Sequence, residues 1–225
     1  MGVSEGPVRQ GFAAELEQLR LQVELMGVRV DENLERMREV LRSGDVEVAA
    51  AAVAADDDID AMNVSLTERC YDLLSRESPV AGDLRFVVSV LRVLSELERV
   101  GDLALRVVKL APDWEVLHRH PATYDILLSM SEAAVEAYRT ALRAWSTQDL
   151  GLAAELAQGR PMDAFTERFS REIIGIEGPD AVLCAVRTLV AGRSLDRIAD
   201  HAAIIGARLR YLITGDPAHL TAEIR

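Results

Sequence analysis

Glu98 and Asp102, and again Asp196 and Asp200, are carboxylates four residues apart inside two near-copies of one phrase, Leu97-Glu98-Arg99-Val100-Gly101-Asp102 and Leu195-Asp196-Arg197-Ile198-Ala199-Asp200. The copies lie 98 residues apart, which reads as a tandem repeat. On a helix, side chains four apart stand one turn above each other on the same face. Like charges so placed cost about 0.2–0.5 kcal/mol per pair, and a bound cation is the simplest reason to keep them. Upstream, Asp56 and Asp60 form another such pair within Asp56-Asp57-Asp58-Ile59-Asp60. Counted outward from Pro79 along two antiparallel helices, Asp60 falls level with Glu98 and Asp56 with Asp102. Four carboxylates can then converge. Left empty, such a cluster drives some of its acids to protonate, whereas a multivalent cation removes the repulsion. Oxygen-only donors suit hard ions such as iron(III), magnesium, manganese or calcium, and zinc is tolerated.

The bland alternative has weight, because 37 of the 225 residues are acidic and chance supplies several pairs at this spacing. Taken alone, Asp56 and Asp60 read first as a solvated acidic face near a helix N-terminus, where the dipole favours negative charge. Repetition of the whole phrase in phase with the core is what chance does not supply. Other candidates are weaker. His118-Arg119-His120 lies in an expected linker and reads as solvated loop. Glu115 and His118 make half of a Glu-x-x-His di-iron pattern whose second half is missing. His201 follows Asp200 and points about 100° away from it, as a flank residue or an accessory ligand. No Gly-rich phosphate loop, nucleophile elbow or Ser/His/Asp order is visible, so no catalytic residue is assigned. A carboxylate-bridged, metal-dependent hydrolase or oxidase stands as the alternative class, and it needs a base that the sequence does not evidently position.

The elements that must hold these acids are helices. Hydrophobic residues make up 49% and aromatics only 4%, which favours aliphatic helix packing over a sandwich or barrel. Apolar residues recur at helical spacing from about Phe12 to Leu41, from the Gly44-Asp45 stop to about Arg76, and from about Gly82 to Leu110, with Ser78-Pro79 as a breaker. After Pro112–Pro121, read as a linker, the pattern restarts with helices near Ala122–Ser146, Asp149–Ile174 and Pro179–Ile213. The expected fold is all-α, two tandem three-helix bundles related by a pseudo-twofold repeat, with residues 1–111 as the first unit, 112–121 as the linker and 122–225 as the second. A heptad stripe runs in the same phase through both motif helices: Val87, Val90, Leu94, Leu97, Gly101, Ala104 and Val108, then Ala185, Thr188, Gly192, Leu195, Ala199, Ala202 and Gly206. The small residues among these allow a neighbouring helix to approach closely at the level of the acids.

Composition excludes further classes. A net charge of -12 opposes binding to nucleic acid or anionic lipid. Cys70 and Cys184 lack C-x-x-C spacing and sit in helical patterns as small apolar residues, which fits a reducing compartment. Met1 to Gln10 has no apolar signal core and no apolar run reaches the ~18 residues of a membrane span, so a cytoplasmic location is expected.

The motifs also resemble those of the PhoU family. Ser78-Pro79-Val80-Ala81-Gly82-Asp83-Leu84-Arg85, followed by Ser95-Glu96-Leu97-Glu98-Arg99-Val100-Gly101-Asp102, is similar to that family's Q-P-x-A-x-D-L-R and D/E-L-E-R-I-G-D patterns. Leu195 to Ala202 resembles the second copy, and Tyr211-Leu212-Ile213-Thr214-Gly215 with His219-Leu220 resembles the family's C-terminal end. The resemblance implies a helical homodimer whose acid motifs bind multinuclear iron or zinc clusters. By position, one cluster would use Asp56, Asp60, Glu98 and Asp102, and the other Asp163, Asp196 and Asp200. Gly159 stands where the second copy ordinarily begins its acid pair, and Ile204 near the place of a family Asn. The second site is thus expected to lack a ligand. The resemblance further implies a negative regulator of the phosphate starvation response and of phosphate uptake, an adaptor between the ATPase subunit of a phosphate ABC transporter and a phosphate-sensing histidine kinase.

Overall fold

A computed structural model describes residues 7–77, 79, 81–158 and 161–224. Ser78 and Val80 of the first motif, and Gly159, lie outside the described residues. The described chain forms helices α1 (Pro7–Ser43), α2 (Val46–Glu77), α3 (Ala81–Val108), α4 (Trp114–His118), α5 (Pro121–Thr147), α6 (Leu150–Glu155), α7 (Pro161–Ile174) and α8 (Ala181–Thr214), with 3-10 turns at Ala111–Asp113 and Pro217–Ile224.

The architecture is all-α and repeats once along the chain. Helices α1, α2 and α3 pack mutually, and α5 and α8 pack with α6 and α7. The halves join where α3 lies against α8 and α1 against α5, which leaves α2 and the α6/α7 pair as outer arms. Every residue of the two heptad stripes is buried except Ala185, which is half-buried. Burying those stripes supplies the apolar driving force that short propensity differences cannot. One hydrophobic cluster runs without interruption from Leu19 to Leu209, so the repeats share a core. Tyr138, wholly buried, donates its hydroxyl to the Gly27 carbonyl at 2.7 Å and ties α5 to α1.

Three expectations are corrected. The single helix expected over Asp149–Ile174 is two. Asp149 caps α6 by accepting from the Gly151 and Leu152 amides at 2.7 and 3.1 Å, and Pro161 opens α7 as its first residue. Between them Leu156 settles over Gly206, where an added Cβ would stand 2.9 Å from Leu156 Cδ1. The stretch expected as a linker is likewise folded. Trp114 Nε1 and the Tyr124 hydroxyl both donate to the Leu41 carbonyl, at 3.0 and 2.7 Å, and the His118 ring stacks on Trp114 at 4.9 Å. Gly44 admits this clasp: its φ is +69°, and a Cβ there would lie 2.6 Å from Trp114 Cγ.

The third correction concerns His201, read as a flank residue or accessory ligand. It is buried between the repeats, with Nδ1 2.5 Å from Glu96 Oε2 of α3. Because α8 packs against both α5 and α3, it buries a wider face than one heptad stripe, and His201 falls inside it. Cys70 and Cys184 are free and buried, with burial pushing the Cys70 thiol up to about 12.

Candidate metal centre

The first acid group lies along the seam between α2 and α3. The inward stripe of α2 runs Ala52, Asp56, Ile59, Leu66, Cys70, Leu73, so Asp56 occupies a core position of the helix and is 8% exposed. It fits there because Gly101 faces it from α3: a Cβ on Gly101 would lie 3.2 Å from Asp56 Oδ1. Glu98 is half-buried, and Asp60 and Asp102 are exposed at the rim. The seam is open on one side.

Electrostatics couple the four groups. Burial raises the Asp56 carboxyl to about 6, with Asp60 and Asp102 adding repulsion and Lys109 opposing the shift. Burial also raises Glu98, followed by repulsion from Asp102 and then Asp60, while Arg99 acts the other way. Asp56 and Glu98 thus each feel acids from both helices. Among the described residues no three acidic, His or Cys side chains are drawn into a preformed ligand cage. The groups interact through space without coordinating distances. Their chemistry fits a hard cation: acceptor-only oxygens, two helices that each contribute a pair, and a buried member whose charge Lys109 only partly offsets.

The second group is built differently. Asp163 is exposed in the first turn of α7, and Asp196 and Asp200 are half-buried on α8. All three line one open cleft, together with Arg171 and Arg193. Arg193 Nη1 sits 2.6 Å from Asp196 Oδ2, and the Thr166 hydroxyl donates to Asp196 Oδ1 at 3.4 Å. A guanidinium therefore already supplies positive charge where a cation would sit, and this donor set fits a metal less well than the first. Arg193 and Thr166 escaped the sequence reading, although the three-residue spacing of Arg193 and Asp196 is a helical ion-pair signal. Thr166 had no such signal, because its partner lies 30 residues away across two helices. His118 is exposed, beside Trp114 and Tyr124.

Comparison with known proteins agrees with this architecture. A family model described as the PhoU domain matches residues 23–111 and again 127–209. The phosphate-specific transport system accessory protein PhoU homolog of Pseudomonas putida is 30% identical over 227 residues, covering 97% of this chain and 89% of that protein. The protein of the same name from Escherichia coli, without "homolog", is 26% identical over 91% of this chain and 86% of its own length. The crystal structure of PhoU from Pseudomonas aeruginosa superposes with a TM-score of 0.85 at 30% identity, over 91% of this chain and 100% of that one. The phosphate transport system regulatory protein PhoU from Streptococcus pneumoniae gives 0.68 at 28%, over 91% and 98%.

Proposed function

This chain belongs to the PhoU family, and from that premise we propose that it is a cytoplasmic, non-catalytic negative regulator of phosphate uptake and of the phosphate starvation response. In this reading it is a homodimer that acts as an adaptor between the ATPase subunit of a phosphate ABC transporter and a sensor histidine kinase. The names of its relatives, accessory proteins of a phosphate-specific transport system, support the transport connection. Among the described residues no helix is long and apolar enough to cross a membrane, in keeping with action on the transporter from outside the bilayer.

The observation that carries the metal part of the reading is that Asp56 and Glu98 are raised first by burial and then by the neighbouring charges of Asp60 and Asp102. A multivalent cation, iron or zinc first and magnesium or manganese next, would relieve that repulsion, and a multinuclear cluster would use acids of both helices. Asp163, Asp196 and Asp200 are assigned a weaker second site, because Arg193 competes for Asp196.

The role is tested in a strain that lacks this gene and any second copy, with phosphate-starvation transcripts measured at high external phosphate. Derepression that the wild-type gene reverses is the expected result. Transcripts that stay low overturn the regulatory reading. Metal content of the purified protein tests the cluster separately: Glu98→Gln with Asp102→Asn should remove most bound iron or zinc, and unchanged content would overturn the assignment of that site.

A further inference from the structure

The two acid groups differ in what already holds them. Asp56, Asp60, Glu98 and Asp102 make no hydrogen bond or ion pair among the described residues, and Lys109 offsets Asp56 from beyond ion-pair distance. In the second group both carboxylate oxygens of Asp196 are engaged: Oδ2 accepts from Arg193 Nη1 at 2.6 Å and Oδ1 from the Thr166 hydroxyl of α7 at 3.4 Å. The guanidinium is the outer partner, its side chain 59% exposed against 14% for Asp196. Arg171 lines the same cleft, facing Glu167 at 3.9 Å.

The repeat isolates the residues responsible. Counted from the shared phrase, Arg193 stands where α3 has Ser95, and Lys109 is matched by Ala207. Counted from Asp163 as the counterpart of Asp60, Arg171 stands where α2 has Glu68. Positive charge thus lies beyond the end of α3 in the first repeat and at the acids themselves in the second. Residues three apart on a helix share a face, so Arg193 stays within reach of Asp196 as long as α8 is helical. An exposed pair of this kind adds little to stability. Its consequence is electrostatic: a fixed positive charge at the carboxylate repels an incoming cation and takes up lone pairs that would ligate it.

We propose that Arg193 is the resident cation of the second acid group and keeps it free of metal at concentrations that fill the first. Each chain then carries one metal-responsive seam, α2 with α3, and one seam closed by a guanidinium, α7 with α8. The proposal rests on the metal reading above for the first seam and adds to it the residue that decides which repeat responds. Metal tightens one arm of the molecule only, while the other is held by Arg193 and Thr166 whether metal is present or absent.

Equilibrium dialysis of the full chain against zinc alone tests this. In Glu98→Gln with Asp102→Asn, which removes the first seam, zinc that saturates the wild type should leave the second group empty. Adding Arg193→Ala should tighten zinc binding there by about tenfold. Further addition of Asp196→Asn should remove that gain, and Arg193→Lys, which keeps the charge, should not produce it. Hydrogen exchange supplies a second readout: zinc should add protection along α2 and α3 of the wild type and none along α7, whereas in Arg193→Ala it protects α7 as well. Zinc that Glu98→Gln with Asp102→Asn retains and Asp196→Asn then releases overturns the proposal and leaves the metal reading intact, as does Arg193→Ala with no gain beside a wild type that binds. Zinc bound by Arg193→Ala and not by the wild type upholds the role of Arg193 and overturns the first seam. No zinc on any variant overturns both.

Discussion

At the scale of single residues, Asp56 is the most informative side chain in the molecule. It is a carboxylate in a core stripe, and Gly101 faces it, where a Cβ would crowd its Oδ1 at 3.2 Å. Its folded pKa of about 6 lies above the ordinary carboxyl value, so the native state favours the protonated form. The resulting stability is full below about pH 4 and is lost as the pH rises through 6. Asp56→Asn should therefore stabilise the metal-free protein by about 1–2 kcal/mol at pH 7.5, with the benefit fading by pH 4, as read from urea midpoints across pH. A benefit that is flat or grows toward acid would mean that Asp56 is not the strained group. In the wild type, a saturating divalent cation should produce a similar gain at neutral pH and none at pH 4, because protonated acids do not ligate. Gly101→Ala tests the same seam sterically. It should push the Asp56 carboxylate out of its place and weaken metal binding at a stability cost of about 1 kcal/mol.

At the scale of helices, what the sequence made legible was whatever repeats locally. Both heptad stripes, the three helices of the first unit and the stacking of Glu98 over Asp102 follow from spacing alone. The acid pair of α2 could be placed beside α3 because antiparallel helices of equal rise keep register from their turn. The break between α6 and α7 was missed, since Leu152 with Leu156 and Phe165 with Phe169 each keep helical spacing on their own side of it, although the step of nine from Leu156 to Phe165 would put the pairs on opposite faces of a single helix. Pro161 two residues after Gly159 was the available signal. What could not be read was non-local: Trp114 settling on Gly44, and Phe169 settling on Gly192. In the second case a Cβ would stand 2.1 Å from the ring, so the α7–α8 contact depends on that glycine. Gly192→Val should detach α7 at a cost of about 2–3 kcal/mol. Hydrogen exchange should then show lost protection across Pro161–Ile174, while α1 to α3 keep theirs. Uniform loss over both repeats would instead indicate that α7 is integral to the shared core.

At the scale of the whole molecule, the tandem description is right about ancestry of pattern and incomplete about cohesion, for the two units are joined by one core and by a buried polar pair. His201 of α8 and Glu96 of α3 meet at 2.5 Å away from water, and Arg99 approaches Glu96 from the rim at 3.4 Å. Both residues neighbour the acid motifs in sequence yet face away from them, so the same two helices carry carboxylates outward to the seams and this pair inward to the inter-repeat contact. Removing Glu96 leaves His201 buried without its partner, and removing His201 leaves Glu96 with only the rim contact from Arg99. His201→Leu and Glu96→Leu should each cost about 3 kcal/mol, and the double variant should cost much less than their sum, because an apolar pair of similar volume needs no desolvation. Urea unfolding followed by circular dichroism gives the cycle. An additive double variant would mean that the pair contributes no coupling between the repeats. The shared core predicts the form of the transition as well: the wild type should unfold in one step, and either single variant, with its inter-repeat contact weakened, should be the first to separate into two.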